Sequence, residues 1–457
     1  MFISKQITKK ALAVFFCLAV FTVMGSSAFT ERADHWISVD ASELSAVAAS
    51  VKVADGRQPL SDRAARVLNG VAILRLDDQE MEDLSRSMHD IFHKCGGFVL
   101  HSSEADALAW VERMTTADQL APSVVYSIDN QAAVNILHSS ARELDNRQVI
   151  TDLSAFPNRR YNQPSGLESA NWIKNKWTQL AAVRGNNLTT VEFYTHDPSV
   201  SPQPSVVLTI RGATLPDEVV VVGAHQDSIN GSGSTQPAPG ADDDASGIAC
   251  MTEMIRVMMS KSFRPARTVK FIAYAAEEVG LRGSNAIATA FRTANTNVVG
   301  VLQLDMTNYK GSQGVDFAII TDYTNAAQNQ FLRDLIATYQ PTLNVVNSSC
   351  GYACSDHASW HNKSYPASFP FEAPLGNDNP WIHTSTDTIS RSNNNADHAL
   401  KFTKLGLSYV AELAKGCISP RVQCSSIIPE RPSKPELKLT SATRGMSGSV
   451  FLDAMSF

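Results

Sequence analysis

The chain has 457 residues, of which 44% are hydrophobic and 18% are charged, and its formal net charge is −6. This composition predicts a globular protein, long enough for one large domain with accessory segments, and excludes a disordered chain. The slightly acidic balance, without a basic stripe or a glycine-rich phosphate loop, argues against nucleic-acid and nucleotide binding.

The N-terminus has the pattern of a secretory signal. Lys5, Lys9 and Lys10 precede an apolar run over residues 11–24, and a small-residue cleavage site follows at residues 26–28. The apolar run is too short to predict a stable membrane anchor. We therefore predict a signal peptide over residues 1–28 and a secreted protein, released to the periplasm or to the medium.

Residues 29–125 form a separate predicted unit. Residues 71–76 and 97–100 have strand patterns, and residues 79–94 have the pattern of an amphipathic helix. The segment contains no cluster of metal-ligand residues, which is compatible with a plain α+β domain. Its place between the signal and the following region favours a propeptide that assists folding and covers the functional site, and it implies a processing protease as a partner.

Residues 126–425 alternate between strand and helix patterns, which predicts an α/β fold. The expected architecture is a three-layer sandwich, with a mostly parallel mixed sheet between helices. Strands are predicted at 205–211, 219–224, 268–275, 298–304 and 315–320, and helices at 130–144, 166–184, 246–259, 285–293, 325–339 and 399–414. Residues 426–457, which begin with a proline-rich stretch, are predicted to be an extended C-terminal tail.

Acidic and imidazole side chains follow several of these strands. His225 and Asp227 end one strand, Glu277 and Glu278 follow another, and Asp305 follows a third. The carboxyl ends of parallel strands meet at one edge of a sheet, where active sites of this architecture form. Adjacent buried acids are costly unless a cation or a reaction uses them. Together with the acids at 242–244 and with His383, the pattern predicts a dinuclear metal site with a spare glutamate, typical of a hydrolase.

Six motifs give a more specific resemblance, and all lie in order within residues 126–425. They are His225-x-Asp227, Gly240-Ala-Asp-Asp-Asp-Ala-Ser-Gly247, Ala276-Glu-Glu-Val-Gly-Leu-Arg-Gly-Ser284, Gln303-Leu-Asp-Met306, Cys350-Gly-Tyr-Ala-Cys-Ser-Asp-His-Ala-Ser-Trp360 and Ile382-His383. This set resembles the secreted bacterial leucyl aminopeptidases with co-catalytic zinc. The resemblance implies the zinc exopeptidase fold and two Zn²⁺ ions per chain.

The resemblance also implies a role for each matching residue. The metal ligands would be Asp243, which bridges both ions, Glu278 and His383 for one ion, and His225 and Asp305 for the other. The remaining roles would be general base for Glu277, carbonyl binding for Tyr352 and orientation of His225 for Asp227. The peptide bond after Asp243 is expected to be cis. Spacing alone does not separate Asp243 from Asp242 and Asp244.

A substrate pocket and two disulfide bonds complete the expectations. The apolar wall that the resemblance assigns to the pocket consists of Met306, Ile319, Cys350, Tyr352, Cys354, Phe369, Phe371 and Ile382. Export favours disulfide bonds between Cys350 and Cys354 and between Cys417 and Cys424. Cys250 is expected on a buried helix face.

The function implied is hydrolysis of apolar, leucine-like residues from peptides with a free N-terminus, by a monomer. The runner-up is another dizinc exopeptidase of the same fold, a carboxypeptidase or an aminoacylase. A non-catalytic binding domain on the same scaffold would be expected to lack Glu277 or Asp243, and both are present.

Overall fold

Residues 34–418 are described by the computed structural model, apart from 54–56, 93, 95, 115, 117–120, 122–123, 184–187 and 312–313. All of them belong to one compact unit. The predicted signal peptide, the predicted tail and Cys424 lie outside the described residues. Among the described helices, none has the length and apolar character needed to cross a membrane.

A six-stranded sheet organises the larger part of the molecule, in the order β13-β10-β7-β9-β6-β5. Its strands are β5 (Thr189–Tyr194), β6 (Ser205–Ile210), β7 (Leu215–His225), β9 (Arg267–Tyr274), β10 (Asn297–Gln303) and β13 (Ala367–Ser368). The pairs among β13, β10, β7 and β9 are parallel, whereas β6 and β5 add antiparallel edges. Because helices cover both faces, strands such as β7 contain continuous runs of buried valines.

The helices of this part surround the sheet. They are α4 (Gln131–His138), α5 (Glu143–Ser154), α6 (Pro164–Ala182), α7 (Ala245–Ser260), α8 (Arg282–Thr293), α9 (Ala326–Tyr339), α10 (His357–Asn362) and α11 (Asp397–Leu413). Smaller sheets join β11 (Phe317–Ile320) with β12 (Val345–Ser348) and β14 (Pro370–Phe371), and β8 (Phe263–Arg264) with β15 (Cys417–Ile418). The main hydrophobic core draws its buried members only from residues 133–418. This part therefore has a core of its own.

The predicted α/β class and the mostly parallel mixed sheet are confirmed. One helix prediction is wrong, because residues 130–144 do not form a single helix. The hydroxyls of Ser139 and Ser140 both donate to the carbonyl of Ile136, at 3.0 and 2.7 Å, near the end of α4. Such local hydrogen bonds compete with helix continuation. A second helix, α5, begins at Glu143, and the sequence pattern did not predict it.

The N-terminal unit, residues 34–114, has a four-stranded antiparallel sheet in the order β2-β3-β1-β4. Its elements are β1 (His35–Asp40), α1 (Ala41–Val47), β2 (Arg66–Leu68), β3 (Val71–Leu76), α2 (Asp78–Phe92), β4 (Phe98–His101) and α3 (Glu104–Arg113). One sheet face packs in a core formed by residues 37–100. The other face, through Ile73 and Val99, joins a cluster that also contains Leu281 and Ala358 of the larger part. The N-terminal unit thus has its own core and an apolar contact with the rest of the chain.

Candidate metal centre

The candidate site lies beyond the carboxyl ends of three neighbouring parallel strands. His225 is the last residue of β7, Glu277 and Glu278 follow β9, and Asp305 follows β10. The ladder continues beyond the strands, since Leu304 N–H donates to the carbonyl of Gly223 at 2.8 Å. This pairing sets Asp305 beside His225, and both lie at the carboxyl ends of parallel strands, where the sequence pattern predicted them.

Two groups of buried ligand-type side chains are brought together there. His225, Asp243 and Asp305 form the first group, and Asp243, Glu278 and His383 form the second. Within each group the ligand-type atoms lie within 4.8 Å of one another. All five side chains predicted as metal ligands are thus assembled at one place.

Asp243 is common to both groups, and its two oxygens face different histidines. Oδ1 lies 3.0 Å from Nε2 of His225, and Oδ2 lies 3.1 Å from Nε2 of His383. On the first side, His225 Nε2 is also 3.5 Å from Asp305 Oδ1; on the second, His383 Nε2 is 2.7 Å from Glu278 Oε2. The carboxylate of Asp243 therefore has the position of a bridging group.

The carboxylates leave oxygen atoms for which the described residues offer no hydrogen-bond donor. Asp243 Oδ2 and both oxygens of Glu278 are buried and accept no hydrogen bond from the described part of the chain. A buried carboxylate without a donor is costly unless a cation compensates it. Two imidazoles and three carboxylates around such oxygens fit two metal ions of the zinc type.

Burial and the closeness of the acids to one another shift their pKa values. Burial, followed by the charge of Asp243, raises the pKa of Glu278 to about 7. Burial, together with the charges of Asp356, Glu278 and Asp305, raises the pKa of Glu277 well above its usual value, although His225 opposes this. Burial acts in the same direction on Asp243, but its contacts with His225 and His383 outweigh it and lower that pKa.

Glu277 belongs to neither ligand group, and its role as general base stays a prediction. Its backbone N–H donates to Asp227 Oδ1 at 3.0 Å, and the N–H of Glu278 donates to Asp227 Oδ2 at 3.3 Å. Nδ1 of His225 lies 3.1 Å from the carbonyl oxygen of Asp227 but 3.7 Å from its carboxylate. Asp227 thus meets His225 mainly through its backbone, and its carboxylate holds the turn that carries both glutamates.

The loop before α7 sets the position of Asp243. The peptide bond between Asp243 and Asp244 is cis, as the resemblance implies. Asp244 caps α7 by accepting from Gly247 N–H at 2.8 Å, and it also accepts from the N–H groups of His225 and Met306. Gly240 has φ +50°, and a Cβ there would lie 2.3 Å from the carbonyl oxygen of Asp243, so only glycine fits.

Sequence reasoning missed two buried residues that hold these loops. Arg159 donates to the carbonyls of Gln226 and Gly240 at 3.0 and 2.9 Å, and so ties two ligand-bearing segments together. Asp387 accepts from the N–H groups of Asp242 and Asp243 at 3.2 to 3.3 Å. The sequence pointed to Asp387 only through its place four residues after His383, and nothing in the sequence pointed to Arg159.

The residues predicted to line an apolar pocket cluster together, with one exception. Most of its predicted members form one cluster: Met306, Cys350, Phe369, Phe371 and Ile382 are buried there, and Tyr352 and Cys354 pack against them. The prediction for Ile319 is wrong, because Ile319 packs in the main core. Ala318 and Ile320 join the pocket cluster instead, since successive residues of β11 face opposite sides.

The cysteines agree with the expectations wherever they are described. A disulfide bond joins Cys350 and Cys354, whose Cα atoms are 6.1 Å apart. Cys250 is free and buried on α7. Cys417 takes part in a disulfide bond, but the predicted pairing with Cys424 stays a prediction because Cys424 lies outside the described residues.

The N-terminal unit lies directly over this site. The rings of His89 and His383 are 4.7 Å apart between centroids, and Arg86 Nε donates to the carbonyl of Gly231. The ammonium group of Lys94 sits 4.5 Å from the ring centroid of Tyr352. With these contacts in place, each of the five ligand residues is at most 5% exposed.

Comparisons with known proteins agree with this geometry. The model of peptidase family M28 matches residues 205–407. Leucine aminopeptidase 1 of Arthroderma otae is 38% identical over 314 residues, which are 66% of this chain and 82% of that relative. A probable leucine aminopeptidase of Trichophyton verrucosum is 34% identical over 342 residues, which are 74% of this chain and 87% of the relative.

Solved structures show the same architecture. LapB from Legionella pneumophila superimposes with a TM-score of 0.70 at 28% identity, over 84% of this chain and 100% of that chain. The LapA aminopeptidase of the same organism superimposes with a TM-score of 0.70 at 29% identity, over 84% of this chain and 99% of that chain.

Fold and site together define a metallopeptidase with the zinc exopeptidase fold. The chain belongs to peptidase family M28 and is an aminopeptidase, which confirms the class and the family that the motifs indicated.

Proposed function

We propose that this aminopeptidase is a secreted enzyme that uses two zinc ions and removes apolar, leucine-like residues from peptides with a free N-terminus. The observation that carries the proposal is the pair of buried ligand groups that share Asp243. The secreted state is supported by the signal pattern over residues 1–28, and the apolar preference by the pocket cluster and by the names of the relatives.

The ligand assignment follows the two groups. His225 and Asp305 would hold one zinc ion, Glu278 and His383 would hold the other, and Asp243 would serve both. When bound, such ions polarise the scissile carbonyl and lower the pKa of the attacking water.

The remaining residues bind substrate and move protons. Glu277 would accept the proton of the attacking water at its carboxylate and deliver it to the leaving amine. Asp227 holds the backbone of Glu277 in place for that transfer. The hydroxyl of Tyr352 would donate a hydrogen bond to the carbonyl oxygen of the substrate, where negative charge develops. The pocket around Met306 and Phe369 would receive the first side chain and exclude water.

The test compares leucine p-nitroanilide with its N-acetylated form, each with and without a zinc chelator. The protein is produced as the full chain and then matured by limited proteolysis. Cleavage of the free-amine substrate alone, abolished by the chelator and restored by zinc, is the expected result. Failure to cleave it while N-acetyl-leucine or a peptide C-terminus is hydrolysed would favour the aminoacylase or carboxypeptidase alternative.

We also propose that the N-terminal unit is a propeptide that keeps the enzyme inactive until a processing protease removes it. Support comes from the contacts of His89 with His383 and of Lys94 with Tyr352. Val125, which follows the unit, is 87% exposed and accessible to a protease. Leucine p-nitroanilide turnover should rise several-fold when the full chain is nicked between residues 114 and 125. Equal activity before and after the cut would contradict this role.

A further inference from the structure

One face of helix α2 of the N-terminal unit lies against the candidate metal centre and the segments beside it. Glu82, Arg86 and His89 are spaced by four and three residues, so they point the same way. Arg160 Nη2 donates to Glu82 Oε1 at 2.6 Å, Arg86 reaches the carbonyl of Gly231, and His89 lies against His383. The carbonyl of His383 in turn accepts from Gly231 N–H at 2.9 Å, so these contacts form one continuous track.

The two ends of this track differ. Beyond His89 the chain continues to Lys94, whose ammonium group lies over the ring of Tyr352, and Tyr352 packs against the predicted pocket residues. A small cavity of about 30 Å³ beneath α2 is lined by residues of both ends, His89 and His383 at one and Glu82 and Arg160 at the other. A peptide that is cleaved beside His383 and follows the same contacts as α2 would extend towards Arg160.

The helix also gives the distance along the track. Seven residues separate Glu82 from His89, which corresponds to about 10 Å at 1.5 Å per residue. An extended peptide advances about 3.3 to 3.6 Å per residue, so about three residues cover the same span. If the amino end of the first residue lies beside His383, the carboxyl end of the third residue reaches Arg160.

Arg160 is held in place by its own loop, independently of the N-terminal unit. Its Nε donates to Asn162 Oδ1 at 3.1 Å, and its guanidinium lies 5.8 Å from the ring centroid of Tyr161. Arg282 approaches the same ring from another direction, at 5.0 Å. Its Nη2 lies 3.9 Å from Oδ1 of Asp78, one turn before Glu82 on α2. Helix α2 thus brings the carboxylates of Glu82 and Asp78 close to two arginines of the larger part.

We propose that Arg160 forms a carboxylate subsite for the third residue of the substrate, which Glu82 occupies until the N-terminal unit is removed. A guanidinium with a fixed fork is suited to binding a carboxylate. The group bound is the terminal carboxylate of a tripeptide or an acidic side chain at the third position. The inference rests on the proposed function, because it assumes that the first residue is cleaved beside His383.

The test measures kcat/KM of the matured enzyme for Leu-Gly-Gly, Leu-Gly-Gly-amide and Leu-Gly-Glu-amide. The free acid and the glutamyl amide should each exceed the neutral amide by about five- to tenfold, through KM rather than kcat. A gain for the free acid alone would assign the subsite to the terminal carboxylate, and a gain for the glutamyl amide alone to the side chain.

Two variants separate substrate binding from docking of the N-terminal unit. Arg160→Gln and Glu82→Gln remove the same ion pair from the full chain, but only Arg160→Gln changes the matured enzyme. The acid preference should fall to about one in matured Arg160→Gln and stay at the wild-type value in matured Glu82→Gln. An unchanged preference in Arg160→Gln, or no preference in the wild type, would overturn the subsite.

Salt titration of the wild type gives a test that needs no variant. The acid preference should shrink as sodium chloride is raised, because exposed charge pairs are screened. A preference that does not respond to salt would contradict an ionic subsite. Leucine p-nitroanilide is measured in parallel: if it is not cleaved, the proposed function has failed, and if it is cleaved without an acid preference, only the subsite has failed.

Discussion

The N-terminal unit and the strand-end site bury carboxylates in opposite ways. In the N-terminal unit, Oε2 of the buried Glu80 lies 2.7 Å from Arg57 and 3.0 Å from Arg63. At the strand ends, two imidazoles face the buried carboxylates Asp243, Glu277, Glu278 and Asp305. The nearby buried guanidinium of Arg159 donates its hydrogen bonds to backbone carbonyls instead.

This difference separates groups that stabilise a fold from groups that perform chemistry. A buried carboxylate paired with arginines is compensated within the chain, whereas removing one partner leaves a costly unpaired charge. An excess of buried carboxylates has no such internal compensation. The proposed zinc ions would balance this excess of negative charge, and the proposed reaction would use the remaining acid, Glu277.

The largest effect is expected for Glu277→Gln. The amide cannot accept the proton of the attacking water, so kcat should fall by about 10²- to 10⁴-fold. Zinc content should stay at the wild-type value, since Glu277 belongs to neither ligand group. Steady-state kinetics and elemental analysis check both points, with the exposed Glu192→Gln as a matched control. Wild-type turnover in Glu277→Gln would refute the proposed mechanism.

A smaller effect, on stability alone, is expected for Glu80→Gln. Loss of the carboxylate leaves Arg57 and Arg63 without their shared partner, which should destabilise the N-terminal unit by about 2 to 3 kcal/mol. Hydrogen exchange of β1 and β3 measures this effect. The control is Glu104→Gln, whose surface pair with Arg66 should contribute about 0 to 1 kcal/mol. Equal exchange in the two variants would show that burial of the Glu80 pair adds no stability.

The smallest effect is expected for the pH dependence of the stability of the N-terminal unit, to which His101 contributes. Burial lowers the pKa of His101 to about 4, aided by the charges of Lys363 and Arg113 and opposed by Asp106. The unfolded imidazole has a pKa of about 6.5, so the unfolded state binds more protons between these values. The stability of the N-terminal unit should therefore fall as the pH drops from about 6.5 towards 4.

Hydrogen exchange of β1 and β4 at pH 7 and pH 5 measures this dependence. His101→Gln should flatten it, because glutamine does not bind a proton in this pH range. Ser38, which lies 2.8 Å from His101 Nε2, would keep a polar neighbour in this variant. The same pH slope in His101→Gln would assign the effect to another group.

Much of the site was predictable because its residues follow strands directly. His225, Glu278 and Asp305 are fixed by the register of neighbouring parallel strands, so their positions along the chain already imply that they meet. Arg159 and Asp387 were not predictable, since they act through backbone groups of segments that are distant in sequence. The face of Ile319 was misjudged because a one-residue change on a strand reverses the side that it faces.

The fold was predictable at the level of alternating elements, and less so where local hydrogen bonds decide. The serines after α4 end a helix that the apolar pattern would continue. The track of α2 along the cleft was also beyond the sequence, because it depends on pairs such as Glu82 with Arg160, which only the packed structure brings together.

Bound zinc in the purified, dialysed full chain tests the central claim most directly. If the excess of buried carboxylates at the strand ends is balanced by external cations, elemental analysis should find two zinc ions per chain. An enzyme that is fully active after maturation with no bound metal would contradict the account, because the carboxylates of Asp243 and Glu278 would then be buried without compensation.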